Sequence, residues 1–427
     1  MEGCVLVSFI GRGQQPSDPV TGGASRSGYV RTRYRFPADG SGAPHIETAS
    51  VFGAALLRWL RRQGQGVTTW LVLGTSGSMW ADLVEAVEDM TNDAVEESWQ
   101  EVAQAGEESR VDAQLLARWQ SALQPLLAPT SLALRLVDPK GTGEDMWEAL
   151  YQTIPRGSKV ILDITHAFRH QPVLASFMIV ALRWLLELQG VDLYYGALRM
   201  SGPPEGTTPV YRLSLCNRLF EAAEALATFR HTGDYVPLAR QIELADEVRG
   251  QIERAAFIDE IHGHAHQSVR GLMRTIEALR LPALERSLAD LLVDALRWSE
   301  RTDLVHRMAW RARHALEHRQ FSKAVMLLFE AIRVASARRF LESSEAADVM
   351  QSEVREKGTQ RLRQWLEQKG QPWTDIWEDL REVRNAVSHA GRANRAGAQR
   401  ALASPEAFAE LFERGESLLK ELYGEPN

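Results

Sequence analysis

Near the end of the chain stands the run Arg384-Asn385-Ala386-Val387-Ser388-His389, closed by Gly391. Metal-free cleavage of RNA needs a group that moves protons at the 2'-hydroxyl and at the leaving oxygen, and a cation for the crowded phosphate. His389 and Arg384 are of those types. Asn385 and His389 are four residues apart and share a helix face. Arg384 and His389 fall about 140° apart around a helix of 3.6 residues per turn, so one copy of the motif is only half of a site. The spacing alone is weak, because Arg301…His306 and Arg313…His318 repeat it. The last copy is favoured by the polar Asn385, the helix-end position, and the small residues Ala386, Ser388, Ala390 and Gly391 that leave room for a substrate. Arg313…His318 reads more simply as a solvated helix face.

A second set of candidates lies in the first half, in three loops that each follow an apolar run. Gly11-Arg12-Gly13 follows Val5–Ile10, Gly74-Thr75-Ser76-Gly77-Ser78 follows Trp70–Leu73, and the stretch from Thr165 through His166, Phe168 and Arg169 to Pro172 follows Val160–Ile164. In an open parallel sheet, ligands bind beyond the carboxyl ends of the strands, where helix N-termini present free N–H groups. Glycines let the backbone approach a phosphate, Thr and Ser add donors, and Arg12 and Arg169 neutralise charge or stack on a base. Any one of these loops alone could be an ordinary tight turn. Three on one edge point to a phosphate-rich ligand.

Other chemistries fit less well. The third glycine of a dinucleotide fingerprint would fall on Pro16, and Gly74–Ser78 lacks the lysine of a P-loop, so a dehydrogenase and an ordinary ATPase are both disfavoured. His262, His264 and His266 invite a metal reading through the i, i+4 pair, with Asp259 or Glu260 completing the shell. No cysteine lies nearby, and a solvent-exposed helical segment is the simpler account. No metal is assigned.

The elements that must position these residues change character near Cys216. From Met1 to about Leu215, apolar runs alternate with helical patterns, the mark of an α/β fold with a parallel, Rossmann-like sheet. The expected strands are Val5–Ile10, Tyr29–Phe36, Thr68–Leu73, Leu132–Val137, Lys159–Ile164 and Val191–Leu198, with helices near Glu47–Gln63, Met79–Asp89, Asp112–Leu127, Asp145–Ile154 and Pro172–Leu188. Gly11–Gly28 reads as a long loop and Ser201–Thr208 as a hairpin connection. Beyond residue 216 the pattern is helical throughout, including Tyr235–Arg254, Ile258–Glu277, Phe321–Leu341 and Thr374–Ser388, and predicts an all-α bundle. Two domains follow, residues 1–215 and 216–427.

With 427 residues, 44% hydrophobic and 25% charged, the chain has the composition of a folded globular protein. Two cysteines exclude a disulfide framework and fit a reducing cytoplasm. The opening apolar run has no basic leader or cleavage pattern and reads as a strand. Val173 to Leu188 carries Arg183 and falls short of the roughly 20 residues that cross a bilayer, so no membrane association is expected. A formal net charge of −7 argues against broad binding to duplex DNA and confines any nucleic-acid contact to a local cleft.

Together these residues resemble the CARF–HEPN effector ribonucleases of type III CRISPR systems, in particular the subgroup that opens "FLGTG … YxxTxYxF". Here that pattern reads Phe9-Ile10-Gly11-Arg12-Gly13 and Tyr29, Thr32, Tyr34, Phe36; "GT…S.W" is Gly74, Thr75, Ser78 and Trp80; "DxTHxFRxxP" is Asp163, Thr165, His166, Phe168, Arg169 and Pro172. The "RN…H" motif maps onto Arg384, Asn385 and His389, and Phe321–Leu341 with Glu330 resembles the helix that packs beside it. Arg12 stands where that family usually carries threonine. The resemblance implies a CARF sensor domain that binds cyclic tetra-adenylate or cyclic hexa-adenylate across a homodimer. It also implies a HEPN domain whose paired Arg384 and His389 cleave single-stranded RNA in antiviral defence once the activator is bound. A non-catalytic nucleotide-dependent regulator is the alternative. Slow cleavage of the activator by the CARF loops, near Ser76, Thr165 or His166, is a possible additional ring nuclease activity.

Overall fold

The computed structural model describes residues 3–12, 31–38, 44–87, 93–166, 168, 170–198, 200, 206–261, 266–346 and 348–424. They cluster into two compact units, Met1–Phe220 and Glu221–Asn427. The chain order in the first is β1 (Cys4–Ile10), β2 (Thr32–Phe36), β3 (His45–Ala49), α1 (Phe52–Arg62), β4 (Val67–Gly74), a 3-10 turn (Trp80–Ala86), α2 (Asp93–Glu107), α3 (Ala113–Leu127), β5 (Ser131–Leu136), α4 (Glu144–Thr153), β6 (Lys159–Asp163), α5 (His170–Leu185), β7 (Gly190–Gly196) and β8 (Thr207–Arg212), and α6 (Ser214–Thr232) crosses the boundary.

The eight strands form one sheet in the order β3-β2-β8-β7-β6-β1-β4-β5. From β7 to β5 neighbouring strands are parallel, whereas β8 runs antiparallel to β7 and β3 antiparallel to β2. Every residue of β1 is buried. Its alternate side chains enter two cores: Leu6 and Ile10 join Trp70, Val72 and the helices α1 and α3 on one face, and Val5, Val7 and Phe9 join Leu71, Leu162 and the helices α4 and α5 on the other. Strands covered on both faces read as continuous apolar runs, which is why β1, β4 and β6 are legible in the sequence.

Two strands depart from the expectation. Glu47 is not the start of a helix but the middle of β3, where its carboxylate, 5% exposed, meets His45, Arg58 and Arg62. β8 (Thr-Thr-Pro-Val-Tyr-Arg) has no expected strand behind it: it starts at Thr207, at the end of the expected hairpin connection, and pairs antiparallel with β7, with Thr207, Thr208 and Val210 buried. Within the expected Met79–Asp89 helix, Trp80–Ala86 is a 3-10 turn and residues 88 and 89 lie outside the described residues; α2 has no counterpart among the expected helices. Tyr34 and Phe36 of the "YxxTxYxF" pattern lie in β2, within the expected strand, and pack against Phe52 and Trp59 of α1; Tyr29 lies outside the described residues.

The second unit continues with α7 (Val236–Arg240), α8 (Asp246–Glu260), α9 (His266–Glu277), α10 (Ala283–Leu296), α11 (Leu304–Glu317), α12 (Phe321–Phe340), α13 (Ser352–Lys369), α14 (Trp373–His389), α15 (Ala396–Ala401) and α16 (Pro405–Tyr423). The expected Tyr235–Arg254 helix is broken between α7 and α8, where Ile242 and Leu244 turn inward to the core. Among the described residues no helix is long and apolar enough to cross a membrane.

α12 is the axis of the second core. Its alanines let other helices approach closely: a Cβ on Gly358 of α13 would lie 2.6 Å from the Ala337 backbone. Phe329 of α12 stacks on Trp377 of α14, centroids 4.8 Å apart. Two glycines in helices thus make opposite forecasts. Gly358→Ala should destabilise by about 1–3 kcal/mol through overpacking. Gly250→Ala, at an exposed position of α8 with no atom within 4 Å of the new Cβ, should stabilise by up to about 1 kcal/mol through helix propensity. Urea unfolding of the two variants checks the difference in sign.

Candidate functional site

The register places β6, β1 and β4 side by side and parallel, so the loops after Asp163, Ile10 and Gly74 leave from the same sheet edge. Within that edge the predicted residues divide into those that tie the loops together and those that face outward. Ser78 belongs to the first class. It is fully buried; its hydroxyl donates to the Ile10 carbonyl (2.8 Å) and accepts from the Thr75 N–H (2.8 Å). The Met79 N–H reaches the Gly11 carbonyl (3.1 Å), and the Trp80 indole N–H reaches the Thr75 carbonyl (2.9 Å). Gly74 is required by this closeness, since a Cβ there would meet Ile10 and Trp80 at 2.6 and 2.7 Å.

The β6 loop is organised by Asp163 and His166. Asp163 Oδ1 accepts the Thr165 N–H (2.8 Å), and the Thr165 hydroxyl accepts the Gly196 N–H of β7 (2.8 Å). His166, 5% exposed, accepts the Phe52 N–H at Nε2 (3.0 Å), which fixes the first turn of α1 and leaves the imidazole proton on Nδ1. His166 is therefore a buried clamp rather than a ligand-facing group. Facing outward are Ser76, Arg12 and Phe168, the last half exposed and stacked on His170 at 6.1 Å. Arg12 donates from Nη2 to the Glu107 carbonyl at the end of α2 (2.7 Å), a partner that no local motif signals. Gly77 is buried. Gly13 and Arg169 lie outside the described residues.

Burial acts oppositely on the two titratable clamps. It pushes Asp163, which is fully buried, up from 3.8 to about 7, against the pull of the hydrogen bonds from Thr165, and it pushes His166 down from 6.5 to about 4.

In the helical unit, Arg384, Asn385 and His389 share α14. Arg384 Nη1 donates to Asn385 Oδ1 (3.0 Å), and its guanidinium lies 5.5 Å from the centre of the Phe329 ring. The planar cation is held by an aromatic face on one side and an amide at its edge. His389 is the last residue of the helix and is exposed; Ala390 takes a left-handed conformation (φ 49°) and the Gly391 N–H closes on the Ala386 carbonyl (3.0 Å). The Ser388 hydroxyl donates to the Arg384 carbonyl (2.8 Å) and touches Met326 Sδ (3.0 Å). Glu330 of α12 is engaged by Arg333 and Arg355.

The other two copies of the spacing are built differently. Arg313 forms a two-point ion pair with Glu416 and covers Phe412, and His318 is bonded to the His314 carbonyl (2.9 Å). His306 packs edge-on against Tyr423 beside Asp303, which caps α11. His262 and His264 lie outside the described residues, and among the described residues no three His, Cys, Asp or Glu gather as a metal site.

No protein-family model matches the chain. It is similar to the CRISPR-associated protein MJ1674 of Methanocaldococcus jannaschii, 24% identical over 276 residues. The match covers 60% of this chain and 41% of that protein, so it spans less than half of the relative's length.

The opposed clamps give a pH signature. The raised group, Asp163, contributes fully below its ordinary 3.8 and loses that contribution as pH rises through about 7; the lowered group, His166, contributes fully above 6.5 and loses it as pH falls through about 4. Asp163→Asn keeps the acceptor for Thr165 but cannot ionise. Between about pH 5 and 7 the wild type should weaken relative to this variant by up to about 1.4 kcal/mol per pH unit. Urea midpoints at fixed ionic strength test this, and a pH-independent difference between the proteins would refute the assignment.

Proposed function

We propose that this chain is a CRISPR-associated endoribonuclease: a CARF domain (residues 1–215) senses cyclic oligoadenylate, and a helical linker with a HEPN domain (together residues 216–427) cuts single-stranded RNA without a metal. The observation that carries the sensing half is the arrival of three glycine- or hydroxyl-bearing loops at the ends of three adjacent parallel strands. The similarity to a CRISPR-associated protein supports the setting.

In the cutting half, a 2'-oxygen attacks the adjacent phosphorus as its proton leaves, the bond to the 5'-oxygen breaks, and that oxygen takes up a proton. The products are a 2',3'-cyclic phosphate and a 5'-hydroxyl. His389, exposed at a helix end, handles one of these protons. Arg384 offsets the charge growing on the phosphate, and Asn385 orients it through the 3.0 Å hydrogen bond. One chain offers one such histidine at this site, so a homodimer that brings two copies of Arg384 and His389 into one cleft completes the acid and base pair. The activator is cyclic tetra-adenylate or cyclic hexa-adenylate, and the cytoplasm is where activator and RNA meet.

Incubating the full chain with single-stranded RNA, with and without each cyclic oligoadenylate and in the presence of EDTA, tests the reading. Stimulated cleavage should survive EDTA and should fall at least about 100-fold in His389→Ala, the usual scale for loss of a general acid or base. Cleavage that persists in His389→Ala, or that EDTA abolishes, would overturn the catalytic assignment.

A further inference from the structure

The α2–α3 turn, absent from the sequence motifs, is fastened to the loop after β4 at several points. The Val111 N–H donates to the Ser76 carbonyl (3.2 Å). A Cβ on Gly106 would sit 2.9 Å from the Ser78 carbonyl oxygen, and one on Gly77 would sit 2.7 Å from Ser109 Oγ, so the two segments touch through positions that only glycine can fill without movement. Ser109 itself adopts a left-handed conformation (φ 55°), rare for a residue with a side chain and maintained where surroundings dictate it. The same turn offers the Glu107 carbonyl to Arg12.

From these contacts we infer that the turn Glu107–Val111 is a fourth wall of the candidate ligand edge, one that positions the Arg12 guanidinium to meet a phosphodiester of a bound oligonucleotide. This rests on the reading of that edge as an oligonucleotide site. A guanidinium has five N–H donors in a planar fork, and the bond to Glu107 uses one while setting the plane of the rest. Ser76, exposed in the β4 loop and linked by its carbonyl to Val111, belongs to the same fastening. The turn acts through Arg12, so Gly106 is a positioning residue, and Arg12 is the group that touches the ligand.

The test measures binding of labelled cyclic tetra-adenylate, cyclic hexa-adenylate and linear oligoadenylate to the full chain over a series of salt concentrations. Arg12→Ala should weaken binding about tenfold or more, the scale of a hydrogen bond to a charged group, and should flatten the salt dependence, as loss of a phosphate contact does. Gly106→Ala should also weaken binding, but by less in an Arg12→Ala background than alone, because part of its effect passes through that side chain. Arg12→Lys, at an exposed position, keeps the charge without the fork and should bind several-fold more weakly; it keeps the test decisive if Gly106→Ala does not fold. Unchanged affinity and salt slope in Arg12→Ala, additive losses in the double variant, or wild-type binding by Arg12→Lys would each overturn the inference. If linear but no cyclic oligoadenylate binds the wild type, the ring-sensing reading fails while the wall stands. If nothing binds, the edge is not an anion site and the wall falls with it.

Discussion

Complete burial of β1 is the constraint on which the first unit turns. A strand with no solvent-facing residue has to be flanked on both edges and covered on both faces, and β4, β6 and two pairs of helices meet those demands. Parallel pairing then forces all three chains to exit at one edge. The proximity of the Gly11, Gly74 and Thr165 loops is thus a by-product of core packing, which brings the residues together before any ligand chemistry is considered.

What those loops contribute is graded by depth. Ser78 and His166 are the deepest, with the Ser78 hydroxyl bonded to the Ile10 carbonyl and His166 Nε2 to the start of α1. Ser76, Arg12 and Phe168 are the shallow members. A rigid inner tier holding an accessible outer tier is the arrangement a binding edge needs, because the outer groups then lose little freedom when a ligand arrives.

Legibility in the sequence followed burial closely. β1, β4 and β6 are continuous apolar runs and stood out, whereas β3 and β8 carry Glu47, Thr207 and Pro209 and are indistinguishable from loop or helix by local pattern. The same holds for the sites. Glycines after strands mark where the loops are, but nothing local separates Ser76 from Ser78, since the difference is which oxygen each can reach across the sheet. The contact of Arg12 with the Glu107 carbonyl joins positions 95 apart in sequence and leaves no periodic trace. For the Arg-and-His motif, the bare spacing is shared by three copies and only Asn385, the helix end and the small residues favour the last; the partners that separate two of them in space, Glu416 beside Arg313 and the aromatic face of Phe329 beside Arg384, leave no local trace.

The helix carrying His389 stops on Ala390, whose left-handed backbone costs an ordinary residue roughly 1 kcal/mol where glycine would pass without penalty. A stop made from a residue that resists it is an adjustable one. Changes at this one position would shorten or lengthen the final turn, and with it swing the imidazole, while Val383 and Ala386 keep the buried face of α14 in place. The reach of the histidine is therefore open to evolutionary tuning separately from the stability of the helix that bears it.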